Sequence, residues 1–418
     1  ILRRSRVRGG VELAGAHIVG LLALDRARIG NPAGYALHAA RLMIDHSIYC
    51  PGTVAEGGIV LTGARIGGGV HIRGARLTNH DGAALAISRA TVDDDINLVD
   101  GCVVEGPLRL RQTHVRGQVN LSGAHLVNPG GPAVIADNLT VDQNVYCAHL
   151  STEAEIRLLG AHIAGDLVLS GARLDNPGGD ALDAGNLVVD RGVRCDDGFV
   201  AHGAIRLTGA RIGVLELLPA EPVTGDVDLR HAQVGVLRDD PATCGRALHL
   251  DGFGYDTLEP LLSVQARLDW LGRQPDGYRP LPYEQLAATY RRLGHDADAR
   301  RVLLAKQSRR RATLTPTARV WGLVQDWTVG YGYLPGRAAV WLLALFTVGT
   351  AFFWTHPPVR IQNGPQYNPV IYTLDVLLPV VNLGQEPAFT PASSGAPTCS
   401  WPRAGCWPPR SPPASPGP

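Results

Sequence analysis

A tetrad, Gly-Ala-(Arg/His)-(Ile/Leu), returns at Gly15, Gly63, Gly160 and Gly209, with a degenerate copy at Gln112, in steps of 48 or 49 residues. A second copy lies 11 residues into each of the first four units, beginning at Arg26, Gly74, Gly123 and Gly171. A period of this size means a solenoid, a propeller or an array, in which no unit buries its apolar face without a neighbour. Within a unit the apolar residues alternate over two to four positions, as at Val70 and Ile72, Val119 and Leu121, Leu167 and Leu169. Period two means strand, and strands this short exclude a propeller blade. The chain therefore reads as mainly β, a β-solenoid (β-helix) over residues 1–255 built from ~48-residue double-coil repeats, each coil about 24 residues long and ~4.8 Å from the next.

Composition supports that architecture. Glycine accounts for 50 of the 418 residues, without the Gly-X-Y period of collagen, and a hydrophobic content of 45% argues against wholesale disorder. Asn31, Asn79, Asn128 and Asn176 align, with Gly34, Gly82, Gly131 and Gly179 three residues on, as solenoid corners require. Gly20, Gly68, Gly117 and Gly165 form a further ladder. None of these glycines has the spacing of a phosphate-cradling loop.

Three polar or reactive ladders are candidates for function. Cys50, Cys147 and Cys195 share a register filled by Leu98 in the intervening unit, which marks a core position, and two coils separate them too far for a disulfide. With no CxxC and no paired histidine, neither a metal nor a redox dithiol is expected. Asp45, Asp93, Asp142 and Asp190 read as corner carboxylates accepting backbone N–H bonds. His17, Arg65, His114, His162 and Arg211 make one cationic stripe, and Arg28, Arg76, His125 and Arg173 a second, so the first stripe is a candidate site for an anionic partner. The net charge of +1 gives no support to specific nucleic-acid binding.

Beyond Gly254 the pattern changes. Leu258, Leu261, Leu262, Leu268 and Leu271, then Tyr283, Leu286, Ala287, Tyr290 and Leu293, predict a small α-helical hairpin or cap over residues 256–312. A cationic run that includes Lys306, Arg309, Arg310 and Arg311 follows. Residues 338–355 carry no charge over 18 positions and predict a transmembrane helix within a membrane-associated region, 313–389. The excess of arginine before it places the solenoid on the cytoplasmic side of a cell membrane, with the arginine run as candidate headgroup contacts. The stretch 369–383 suits a re-entrant or interfacial segment, and Asp375 within it is a candidate intramembrane polar residue. Residues 390–418 read as a Pro-rich disordered tail. The chain opens on Ile1, already close to the first repeat, and reads as a fragment.

The run Leu248-His-Leu-Asp-Gly-Phe253, the block from Leu281 to Gln307 and the segment from Tyr372 to Gly384 resemble actinobacterial membrane-associated repeat proteins. The solenoid is more loosely similar to pentapeptide-repeat and bactofilin-like β-helices. Members of the family are often labelled oxidoreductase, so the resemblance implies a membrane-associated oxidoreductase. The residues themselves show no dinucleotide fingerprint, haem pair or activated nucleophile, and no cofactor is expected from them. They favour a non-enzymatic, membrane-tethered scaffold whose partners are the lipid bilayer and a protein or anionic surface.

Overall fold

In a computed structural model, residues 1–275, 277–312, 335–360, 366–378, 383 and 389–390 are described. The chain divides into two units, Ile1–Arg319 and Val320–Pro418.

Two parallel sheets, of 16 and 18 short strands, form the solenoid of the first unit. Each turn contributes to both sheets, and rung stacks on rung in register. Arg6 pairs with Arg28, Arg28 with Val54, Val54 with Arg76 and Arg76 with Val103. The series continues through His125, Ser151, Arg173 and Val200. The double coil is present, but its halves are unequal. Bonds between neighbouring rungs span 22 in sequence across one kind of coil, as from Gly69 to Ser47, and 26 or 27 across the other, as from His38 to Glu12 and from Thr78 to Glu105. A short coil and a long one therefore replace the two equal coils expected.

The inequality has one cause. Where Gly30 and Tyr35 face Glu56 and Gly58 across neighbouring rungs, the register shifts, because the residues from Asn31 to Gly34 have only Gly57 opposite them. Every long coil carries this insertion, and its asparagine closes it. Asn31, Asn79, Asn128 and Asn176 each donate from Nδ2 to the carbonyl four residues on, at 2.7–2.9 Å. The short coil beside the corner must yield space. Gly106, at φ 118°, passes so close that a Cβ there would sit 2.3 Å from the Asn79 carbonyl oxygen. After Val200 the coils are all of the short kind, Ile205 pairing with Val227 and Val227 with Leu248. The corner is absent there, which is why the fifth unit diverges in sequence.

Alternation sends every second side chain inward. Ile44, Ile66, Val92, Val115, Val141 and Ile163 form one such row, each at most 2% exposed. Burying each contributes about 1.5–3 kcal/mol. The row turns at the first residue of the tetrad, which adopts a left-handed conformation at Gly63 (φ 71°), Gly160 (φ 62°) and Gly209 (φ 69°).

Three helices follow the last rungs: α1 (Val264–Leu271), α2 (Pro280–Arg292) and α3 (Asp296–Ala312). Ser263 caps α1 by accepting the Ala266 N–H, and Pro280 opens α2, where a missing N–H costs nothing. Acidic residues in the first turn of α3 and arginines in its last complement the helix dipole. Leu286, Tyr290, Val302 and Leu303 are buried between α2 and α3, and Gln285 of α2 donates to the Tyr255 carbonyl of the last rung at 2.7 Å. Beneath α1, Arg267 is fully buried and its Nη1 lies 2.8 Å from Asp239 Oδ1, with the guanidinium 5.4 Å from the Trp270 ring.

The second unit contains α4 (Pro335–Thr355) and α5 (Pro369–Leu377). A Cβ at Gly349 would lie 2.8 Å from Thr373 Cγ2, so the two helices meet closely there. Phe353 packs edge-on against Tyr372 at 4.8 Å, and Tyr367 donates its hydroxyl to the Phe353 carbonyl. A helix therefore forms where the apolar run predicts one. Among the described residues, however, no helix is long and apolar enough to cross a membrane, so the expected span lacks structural support. The expected re-entrant stretch begins as the nine-residue α5. Of the expected tail, residues 391–418 lie outside the described residues.

Candidate functional site: a charge-alternating face and its terminal groove

His17, Arg65, His114, His162 and Arg211 do occupy one column, but on alternate rungs. Met43, Thr91, Thr140, Val188 and Gln233 occupy the rungs beside them. Two rungs place successive cations ~10 Å apart. The aspartate ladder lies on the long coils between them. His17 Nε2 is 2.9 Å from Asp45 Oδ1, His114 Nε2 is 2.9 Å from Asp142 Oδ1, and His162 Nε2 is 3.4 Å from Asp190 Oδ2. Asp93 instead meets Arg116 at 3.1 Å.

These carboxylates thus pair with side chains, which corrects the expectation that they accept backbone N–H groups. That task falls to Ser47, Asp95 and Asn144, which accept from the N–H of Gly69, Gln118 and Asp166 at 2.8–3.0 Å. The same rows explain the ladder at Gly68, Gly117 and Gly165, where a Cβ would collide with these side chains at 2.3–2.4 Å. The face therefore alternates rungs that carry a cation with rungs that carry a carboxylate, the two held in neighbouring columns. Each half-exposed pair contributes at most ~1 kcal/mol, so the pattern shapes recognition more than stability. The signal was present in the sequence as a histidine answered by an aspartate at a constant separation of 28, in His17 and Asp45, His114 and Asp142, His162 and Asp190.

Most of the second stripe is paired in the same manner. Arg76 meets Glu105 at 2.8 Å, His125 lies 4.0 Å from Glu153, and Arg173 and His202 share Asp175.

The first stripe is concave at its last cation, as it is at His17 and Arg65. Arg211, Asp190 and Gln233 from the rungs, with Asp256, Gln285 and Arg292 toward the helical cap, line a groove of about 600 Å³. Its floor is low because Gly213 lies against the preceding rung, where a Cβ would sit 2.3 Å from the Arg191 carbonyl oxygen. Arg292 Nη1 lies 3.5 Å from Asp256 Oδ1, which orients one wall. A groove lined by two arginines, two aspartates and two amides suits the backbone and charged side chains of a polypeptide better than an apolar cofactor.

Cys50, Cys102, Cys147, Cys195 and Cys244 are free and buried. Inward rows beside the registered rungs place Ile72, Leu98 and Leu121 between Cys50 and Cys147. Burial pushes the Cys50, Cys147 and Cys244 thiols up to about 12 and Cys195 higher still. Such thiols are core side chains, not nucleophiles. Among the described residues no three His, Cys, Asp or Glu side chains converge as metal ligands would.

The remaining expected residues are not gathered at this groove. Lys306 pairs with Glu284 across α2 and α3, while Arg309, Arg310 and Arg311 occupy the last turn of α3. Asp375, in the second unit, is 3% exposed and accepts the Leu383 N–H at 2.6 Å, closing the chain after α5. Sequence reasoning missed the Asp239–Arg267 pair and the groove, because both depend on α1 and α2 folding back onto the last rungs.

No protein-family model, curated protein or solved structure matches this chain.

Proposed function

We propose that the chain is a membrane-associated, non-enzymatic scaffold that presents its solenoid as an interaction face on the cytoplasmic side. The observation that carries the membrane part is the surface of α4. Val340, Leu342, Leu343, Leu345, Val348, Phe352 and Trp354 are large apolar side chains, each at least 46% exposed on this one helix. Burying them in lipid removes more apolar area from water than an isolated surface helix ordinarily exposes. The scaffold part rests on the charge-alternating face and its terminal groove, which offer a rigid polar surface for an oppositely patterned protein. The oxidoreductase alternative gains no support from the thiols, which are buried and held protonated.

Flotation of the full chain with neutral phosphatidylcholine vesicles tests the reading. The wild-type chain should rise with the lipid, and a Leu342→Ser, Leu345→Ser, Val348→Ser variant should stay in the dense fraction. A wild-type chain that remains below would sink the membrane assignment. Recovery of a stoichiometric flavin or haem in its absorbance spectrum would overturn the scaffold assignment.

A further inference from the structure

Charged side chains facing each other across adjacent rungs follow a rule in this solenoid. Asp183 stands between Arg157 and Arg206, Asp228 between Arg206 and His249, and Glu216 between Arg194 and Arg238. Neighbouring rungs alternate in sign, as expected when like charges ~4.8 Å apart repel. Among the described residues one registered pair of Arg, Lys, Asp or Glu breaks the rule. Arg6 faces Arg28 directly.

The surroundings add to this excess. Arg8 lies two residues along the same strand, opposite Gly30, and Arg76 stands two rungs beyond Arg28 with uncharged Val54 between. Arg6, Arg8, Arg28 and Arg76 line a concavity of about 460 Å³ with Glu56 as its one carboxylate. Four guanidinium groups against one carboxylate leave a lining charge of +3. Arg76 is drawn toward Glu105 at 2.8 Å, outside that lining. Glu56, opposite Gly30, has its Oε2 3.7 Å from where a Cβ would be, so the one carboxylate of the concavity lies in the column that holds Arg8 and leaves Arg6 and Arg28 facing each other in the next.

We propose that Arg6, Arg8 and Arg28 form a site for a phosphate group carrying at least two negative charges. An anion placed between Arg6 and Arg28 turns their repulsion into two attractions and restores the alternation of sign seen elsewhere on the solenoid. Planar guanidinium forks match the oxygens of a tetrahedral oxyanion in pairs, and three of them exceed what one carboxylate engages. The site shares no residue with the terminal groove or with α4, so it stands whether or not the chain binds lipid through that helix.

Calorimetric titration of the full chain with inorganic pyrophosphate at low salt tests the assignment, with thermal unfolding as a parallel readout. Pyrophosphate should bind, raise the unfolding temperature and bind at least tenfold more weakly to an Arg6→Gln, Arg28→Gln variant. An Arg109→Gln variant, altered on another column, should bind like wild type. Without ligand the double variant should unfold at the same or a higher temperature, because its like-charge contact is gone, so lost binding cannot be confused with lost folding. Vesicles containing phosphatidic acid separate the sources of phosphate. Extra capture over neutral vesicles, competed by pyrophosphate and lost in the double variant, assigns a lipid headgroup, and pyrophosphate binding without extra capture assigns a soluble phosphate. Equal pyrophosphate affinity in wild type and double variant, or no binding to wild type, overturns the proposal.

Discussion

Gln112 holds the corner position that glycine holds in the other four tetrads, and it does so at φ 54°. A side chain with a Cβ is strained in that region by about 1–2 kcal/mol, part of which glycine returns through its greater freedom in the unfolded chain. Gln112→Gly should therefore stabilise the first unit by about 0.5–1 kcal/mol, visible as a higher urea midpoint at unchanged slope. A lower midpoint would show that the glutamine side chain contributes more than its backbone costs. At this scale much was readable in advance. The asparagine corners follow from residue type and period alone, because the Asn31, Asn79, Asn128 and Asn176 bonds are local. The His17–Asp45 pair also left its mark, as a constant separation of 28, but reading that as a contact needs the separate lengths of the long and short coils, which the repeat period only sums.

The join between the last rungs and α1 rests on a buried ion pair. Asp239 is 3% exposed, and burial lifts its carboxyl above the ordinary carboxylate range despite the Arg267 guanidinium beside it. Removing one member of such a pair costs about 3–5 kcal/mol, whereas replacing both with apolar residues is often neutral. Arg267→Met should destabilise the first unit by that amount, and Asp239→Leu with Arg267→Met should recover most of it in chemical denaturation. A sign follows for pH. With the native pKa raised above the unfolded value of about 3.9, the ionised carboxylate opposes folding above that window, so the Arg267→Met deficit should shrink as pH falls through the native pKa. A deficit that grows on acidification would contradict this account. The helices themselves were legible from leucine and tyrosine spacing, but the pair was not. Asp239 and Arg267 lie far apart in sequence on different kinds of element, and no periodicity links a strand to a helix.

For the whole chain, the repeat announced a solenoid and its extent, while the groove beside Arg211 and the basic concavity at Arg28 arise from which rungs happen to be neighbours. The unequal halves of the double coil introduce parity. Up to Val200 a long coil with an asparagine corner is followed by a short one, which at Gly57, Gly106 and Gly203 has a glycine where the corner passes and has Ala154 beside the Asn128 corner, so turns there come in two kinds that cannot trade places. Excising residues 63–111, one full period of the repeat, preserves the order of the two kinds and should leave a folded, shorter protein with a cooperative melt. Excising residues 65–90, a single long coil, should not, because it removes the Asn79 corner against which Gly106 is fitted and puts the later turns up to Val200 out of phase. If both shortened chains melted alike, the two kinds of turn would be interchangeable after all. Up to Val200 the chain therefore lengthens or shortens by pairs of turns, much as a two-letter alphabet spells only words of even length, and single short turns add only beyond it, where the asparagine corner is absent.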